Sequence, residues 1–265
     1  MVPRAKRRLG QHFLTDPRLL GRIADALGAG PDDTVLEIGP GPGGLTAALA
    51  ERAGRLVAIE KDADLVPALR ERFPSATIVQ GDALETDWPA IAGPRYLVAG
   101  NIPYNITSPL IDKALDPPRP VRIVFLVQKE VADRVTARAG ERPYGALSVG
   151  VQSVAAAERL FTVPAGAFHP RPKVDSAVLR LTPLAEPLVD PVEQWSFRRL
   201  VVGLFGFRRK QLARGLRELT GWEPARVGEV LDQIGVPAAS RPEVVAPATF
   251  AALHRTLVDG GWTAR

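Results

Sequence analysis

The segment Gly100-Asn101-Ile102-Pro103-Tyr104 holds the residues whose types and spacing point most directly to a reaction. An exocyclic adenine amine is a poor nucleophile because its lone pair is delocalised into the ring. A site that makes it react must accept hydrogen bonds from both N–H groups and draw the nitrogen toward a tetrahedral geometry. The Asn101 side-chain oxygen and the Ile102 carbonyl have the right polarity for this. Ile102 precedes Pro103 and is therefore biased to an extended backbone, which helps hold its carbonyl outward. Tyr104 offers a ring on which a base stacks. The nitrogen would then attack a sulfonium methyl in line. No strong general base is required, because the amine becomes acidic only after methylation and water takes the proton. Such catalysis is mostly positioning and electrostatics. That agrees with a motif that has no histidine or cysteine beside it. A base within RNA must be extruded to reach such a pocket. Phe168, in the Pro-rich run Ala167-Phe168-His169-Pro170-Arg171-Pro172, is the candidate for a second aromatic plane. Its competing role is a core residue beneath that loop.

A second constellation lies upstream. The apolar run Thr34–Ile38 ends in Gly39-Pro40-Gly41-Pro42-Gly43-Gly44 before a helical pattern. Glycines let a backbone pass close to a ligand, and a helix N-terminus offers free N–H groups. Gly39, Gly41 and Gly44 satisfy a dinucleotide-binding pattern, which would make an NAD-dependent oxidoreductase one reading. Glu37 argues against it, since an acid there would crowd a pyrophosphate but suits a ligand with an ammonium group. Glu60 closes the next apolar run, where an acid binds ribose hydroxyls. Asp82, after the third run, can accept from an adenine amine, although Gly81-Asp82 also reads as an ordinary turn. Amino acid, ribose and adenine in that order are the pieces of S-adenosylmethionine.

These residues require a parallel sheet to present them. Candidate strands are Thr34–Ile38, Arg55–Ile59, Thr77–Val79, Tyr96–Ala99 and Ile123–Val127. Candidate helices are Pro17–Leu27, Gly44–Arg52, Ala63–Arg72, Pro109–Leu115 and Lys129–Arg138, with Asp16 as N-cap and Pro17 at the first helical position of the earliest one. That alternation is the mark of βαβ units. Arg159–Val163 and Ala177–Leu181 read as a further, antiparallel pair at the sheet edge. After a linker at Thr182–Pro191 the pattern is helical only: Val192–Phe205, Arg208–Leu219, Ala225–Ile234 and Ala248–Val258. The expected architecture is α/β, a Rossmann-like, mostly parallel seven-stranded sheet with helices on both faces, over residues 1–184. A small all-helical domain follows over residues 185–265.

Composition narrows the class. The chain has 265 residues, 46% of them hydrophobic, which suits one sizeable domain and a smaller one. No membrane span or signal peptide is legible, so the expected compartment is the cytoplasm. Zero cysteines and three scattered histidines exclude thiolate metal sites and disulfides and leave no metal expectation. The net charge of +5 fits a nucleic-acid partner. Six cations stand against one acid from Met1 to Arg22, Arg7 and Arg8 among them. Seven stand against none from Trp195 to Arg217, Arg208, Arg209 and Lys210 among them. Such clusters neutralise backbone phosphates; arginines on merely solvated faces are the alternative.

The chain resembles the ribosomal small-subunit adenine dimethylases, the kasugamycin-resistance family. The segments that carry the resemblance are Gly10-Gln11-His12-Phe13-Leu14, Glu37–Gly41, Asn101–Pro109, Val127–Ala132, Tyr144–Val149 and Phe168–Val178. The resemblance implies two adjacent adenosines near the 3′ end of 16S rRNA as substrate, each methylated twice, within the small subunit or its precursor. It implies S-adenosylmethionine contacts at His12, Leu14, Gly39, Glu60, Asp82 and Asn101, and a base held between Tyr104 and Phe168. It also implies that the helical domain grips the subunit, and Arg208-Arg209-Lys210 matches a basic motif of the family. His12 stands where the family usually has Asn, and Arg214 near a position where Asn is common. A 23S rRNA methylase and an assembly factor without catalysis are the competing readings. A monomer is the default.

Overall fold

The computed structural model describes residue 6 and residues 9–264. Arg7 and Arg8, expected to contact RNA, lie outside the described residues. The chain divides into two compact units. The first takes the chain up to Ala132 together with Ala157–Pro183; the second takes Asp133–Ala156 and everything from Leu184.

The first unit is built on strands β1 (Phe13–Leu14), β2 (Thr34–Ile38), β3 (Arg55–Glu60), β4 (Thr77–Gln80), β5 (Leu97–Asn101), β6 (Arg122–Gln128), β7 (Ala155–Val163), β8 (Phe168–His169) and β9 (Ser176–Pro183). Seven of them form one sheet in the order β4-β3-β2-β5-β6-β9-β7. Pairs from β4 through β6 are parallel, and β9 runs antiparallel to β6. Strands such as β2 and β6 are apolar on both sides because helices cover both faces. The helices are α1 (Pro17–Leu27), α2 (Gly44–Ala50), α3 (Val66–Arg72), α4 (Trp88–Ala92) and α5 (Thr107–Leu115), and the first turn of α6 (Lys129–Thr136), whose remainder from Asp133 belongs to the second unit. Two-residue strands β1 and β8 pair apart from the main sheet, Phe13 opposite His169 and Leu14 opposite Phe168.

Helix α1 has the span and the cap that its residues encode. The Asp16 carboxylate accepts from Arg18 N at 2.8 Å and Leu19 N at 3.3 Å, and Gly28 ends the helix in the left-handed region at φ 65°. Helix α3 starts at Val66 rather than Ala63. From Ala63, Pro67 would be the fifth helical residue, with no N–H for the bond that position owes; from Val66 it sits in the first turn, where none is owed. Strand β7 begins four residues earlier than its β-branched run.

The second unit contains α7 (Ala146–Gln152), α8 (Gln194–Gly206), α9 (Leu212–Thr220), α10 (Pro224–Gln233) and α11 (Pro247–Asp259). Its core joins Phe197, Leu200, Leu204, Leu216, Leu231, Phe250 and Leu257 to Tyr144 and Val149. The Tyr144 hydroxyl donates to the Val245 carbonyl at 2.7 Å, and Gln152 Nε2 donates to the carbonyls of Val135 and Ala137 at 2.8 Å. Residues 133–156 therefore fold with the C-terminal helices, which a single cut near Leu184 does not describe. Arg208, Arg209 and Lys210 are not the start of a helix as expected. They form the turn between α8 and α9, because α9 begins only at Leu212, which is fully buried. No helix among the described residues is long and apolar enough to cross a membrane.

Candidate active site

In an open parallel sheet, ligands bind outside the carboxyl ends of the strands, where the chain order reverses. Here the chain runs outward from β2 to β3 and β4, then returns to the other side of β2 as β5. A cavity opens at that point. Its walls include Gly39, Gly41, Glu37, Glu60, Asp82, Asn101, Ile102, Pro103, Tyr104, His12 and Leu14. Of the twelve positions expected to do chemistry or touch the cofactor, eleven line it, and Phe168 does not.

Each acid has its own environment. Glu60, at the tip of β3, accepts from Gly41 N at 2.9 Å through one oxygen and from Asp62 N at 2.7 Å through the other. Gly41 adopts φ 56° there, a left-handed conformation that favours glycine. Burial pushes the Glu60 carboxyl up, and the two N–H groups work against that. Glu37 is 1% exposed, and its Oε2 has no hydrogen-bond partner among the described residues. Burial first, and the neighbouring Glu60 charge with it, push its pKa up to about 8. Asp82 is engaged by Lys61 Nζ at 2.5 Å and by Leu84 N at 2.9 Å, and these two, Lys61 foremost, hold its carboxyl below the usual range. An adenine amine would share Asp82 with Lys61.

Asn101 ends β5. Its Nδ2 donates to the His12 carbonyl at 2.8 Å. A carbonyl only accepts, so this contact settles which end of the amide faces it and leaves the side-chain oxygen for a different donor. Ile102 N donates to Leu126 O at 3.0 Å, which carries the β5–β6 ladder one residue further. Tyr104 opens a short 3-10 turn, Tyr104–Ile106, and its hydroxyl shares a 2.7 Å hydrogen bond with Ser176 Oγ. Its ring is stacked on His12, centroids 5.4 Å apart and planes 24° from parallel.

Phe168 was expected to form the second plane for the base. Instead it is 4% exposed and packs in the core with Leu14, Ile23 and Leu126. The cause is the β1–β8 pairing, which sets Phe168 opposite Leu14. His12 is the ring that faces Tyr104.

Sequence reasoning also missed the anchor of the N-terminal wall. Lys6 Nζ meets Asp62 and Asp64 at 2.5 Å each, and Gln11 Nε2 donates to Asp62 at 3.2 Å. Asp62 follows Glu60 by two residues and bears no motif; its role depends on residues more than fifty positions away.

Glu37 makes stability depend on pH with a definite sign. Its folded-state pKa is raised to about 8, against an ordinary value of 4.5. Between those values the unfolded chain has released the proton and the folded one has kept it. The unfolded state binds fewer protons, so the stabilising contribution, complete below 4.5, is lost as pH rises toward 8. Urea unfolding from pH 5 to pH 8, without ligand, is expected to show this decline in the parent and to lose that part of it in Glu37→Gln. An equal slope in both proteins would remove Glu37 as the cause.

The sheet order and the crevice tipped by acids define a Rossmann-like S-adenosylmethionine-dependent methyltransferase. A buried acid with an unpartnered oxygen, a carboxylate fixed at a strand tip and a glycine turn fit that cofactor's cationic amino acid and ribose. The family described as ribosomal RNA adenine dimethylase matches residues 2–235. The chain is 44% identical to ribosomal RNA small subunit methyltransferase A of Geobacter metallireducens, over 97% of each chain. It is 40% identical to the protein of the same name in Acidithiobacillus ferrooxidans, over 98% of this chain and 97% of the relative. Among solved structures it is similar to a dimethyladenosine transferase from Plasmodium falciparum, at 25% identity and TM-score 0.81, covering 94% of this chain and 98% of that one. It is also similar to the 23S rRNA methyltransferase ErmE, at 31% identity and TM-score 0.73, covering 93% of this chain and 99% of that one. The chain belongs to the ribosomal RNA adenine dimethylase family.

Proposed function

We propose that this enzyme dimethylates two adjacent adenosines near the 3′ end of 16S rRNA, in the small subunit or its precursor. It does so in the cytoplasm, as a monomer, and takes part in subunit biogenesis. The observation that carries the reading is the Asn101 amide, oriented by the His12 carbonyl at the mouth of a cavity that also holds Glu37, Glu60 and Tyr104.

When bound, S-adenosylmethionine supplies an activated methyl on a sulfonium. Glu37 would hold its ammonium, Glu60 its ribose hydroxyls and Asp82, shared with Lys61, its adenine amine, with Gly39 and Gly41 letting the backbone approach. His12 and Leu14 would close the cavity from the N-terminal side. The Asn101 oxygen and the Ile102 carbonyl accept from the two N–H groups of the target amine, and Pro103 keeps the Ile102 backbone extended. Tyr104 supports the base. The proton released after transfer goes to water. Arg208, Arg209 and Lys210 would neutralise phosphates; Arg7 and Arg8 are assigned the same part on charge alone.

The names of the relatives at 40–44% identity support the small subunit over the large one. The test is methylation of 30S and 50S subunits from cells lacking the native dimethylase, read by nucleoside mass spectrometry. Dimethyladenosine from 30S alone is expected. Label in 50S would move the substrate to 23S rRNA, and no label in either, with cofactor bound, would point to a binding factor.

A further inference from the structure

Three contacts converge on His12. Its carbonyl accepts from Asn101 Nδ2 at 2.8 Å. Its Nδ1 lies 2.8 Å from the Pro170 carbonyl, and because a carbonyl only accepts, Nδ1 carries a proton and donates. Its ring stacks on Tyr104, centroids 5.4 Å apart and planes 24° from parallel. Both rings line the cavity. The backbone bond to Asn101 sets His12 on the side of Tyr104 that looks toward the amide, which is the side a base must take if its amine is to reach Asn101 and Ile102. Two other rings could compete for this place. Phe168 is buried in the core and does not line the cavity. Phe13 lines it but is 6% exposed and packs on the glycine turn, where a Cβ on Gly41 would stand 3.1 Å from Phe13 Cε1.

The two facing rings are held differently. The Tyr104 hydroxyl is tied to Ser176 Oγ at 2.7 Å, and Ser176 is fully buried at the start of β9. The His12 ring is tied to Pro170, which is exposed, as are Arg171, Lys173, Val174 and Asp175 after it. Tyr104 is therefore the fixed wall and His12 the one that can yield. A base between them needs about 7 Å, two van der Waals layers, so the centroids must part by about 1.6 Å. A base entering there replaces one ring–ring contact with two. Swinging the imidazole away instead would forfeit both the Pro170 bond and the Tyr104 face.

We propose that the His12 imidazole is the second wall of the target-base slot, and that the adenine is held between His12 and Tyr104. The proposal rests on the adenosine-methylating reading above and adds a residue that touches the reacting base. Residue 12 is usually Asn in the family, so this wall belongs to the chain's own sequence.

The test measures methyl transfer to 30S subunits, and cofactor affinity separately, in His12→Ala, His12→Leu and His12→Phe of the full chain. All three keep the Asn101 bond, because it is made to the backbone of residue 12. His12→Ala is expected to lower kcat/KM for the subunit about tenfold, the usual loss on removing a ring that stacks on a base. His12→Leu restores bulk without a π-face and is expected to stay impaired, whereas His12→Phe should recover most of the activity; a merely structural role would be rescued by leucine as well. With 2-aminopurine at the target position of reconstituted 30S subunits, the bound base should be brighter in the Ala and Leu variants than in the parent and Phe variant. A higher kcat/KM in His12→Ala would make the ring a plug that the base displaces, and overturns the proposal. Unchanged transfer, rescue by leucine, or a loss matched by weaker cofactor binding overturns it too. If the parent methylates 50S subunits instead, the small-subunit reading fails and the same variants test the slot on that substrate. A parent that methylates neither overturns this proposal and the functional reading together.

Discussion

Asn101→Ala is expected to remain folded and to transfer methyl groups about 10²–10³ times more slowly, the usual loss on removing one polar group that stabilises developing charge. The side chain has two roles that the substitution separates from the fold. Its Nδ2 holds the His12 carbonyl at 2.8 Å, and its oxygen is then turned to another donor. Losing the first contact costs about 1 kcal/mol, since the His12 carbonyl can be hydrated at the half-buried site. Losing the second removes an acceptor for the target amine. Asn101→Asp is the informative companion. It keeps an oxygen for the amine but sets a carboxylate against the His12 carbonyl, so it should also be impaired. Single-turnover transfer and thermal melting with and without cofactor separate the two roles. Transfer by Asn101→Ala within threefold of the parent would rule out the assigned mechanism.

Gly100→Ala is expected to lower stability by about 3 kcal/mol and the melting temperature by on the order of 10 °C. Gly100 pairs with Ile38 where β5 lies beside β2. A Cβ there would stand 2.6 Å from the Ile38 carbonyl oxygen and 2.9 Å from Ile102 Cδ1. The first is a backbone atom inside a ladder bonded on both sides, so it cannot swing away; the strands must part. Asn101 and Ile102 follow directly, so the same shift displaces both acceptors, and activity should fall more than the lost stability accounts for. Gly150→Ala in α7 is the control, because a Cβ there meets nothing within 4 Å. It is expected to melt at or slightly above the parent temperature. A Gly100→Ala protein melting within a degree of the parent would show that β2 and β5 have more slack than their register suggests.

The parts of this protein legible in its residues are those specified over a few neighbouring positions. Apolar runs such as Thr34–Ile38 and Ile123–Val127 are strands in any context that covers both faces, and each connection between them is long enough for a crossover helix. Asp16-Pro17 marks the start of α1. Glu37, Glu60 and Asn101 stand at strand tips, so a parallel sheet alone brings them to one crevice. The tertiary structure decided whatever depends on pairing across long separations. Phe168 looks like a base platform in its Pro-rich loop, but pairing opposite Leu14 buries it. Lys61 against Asp82, Lys6 against Asp62 and His12 on Tyr104 are contacts that no local spacing encodes. Residues 133–156 follow the sheet in sequence but find their apolar partners among the C-terminal helices. Short-range preferences set the elements; which surfaces meet is set by burial and hydrogen-bond satisfaction over the whole chain, and those become readable only once it has folded.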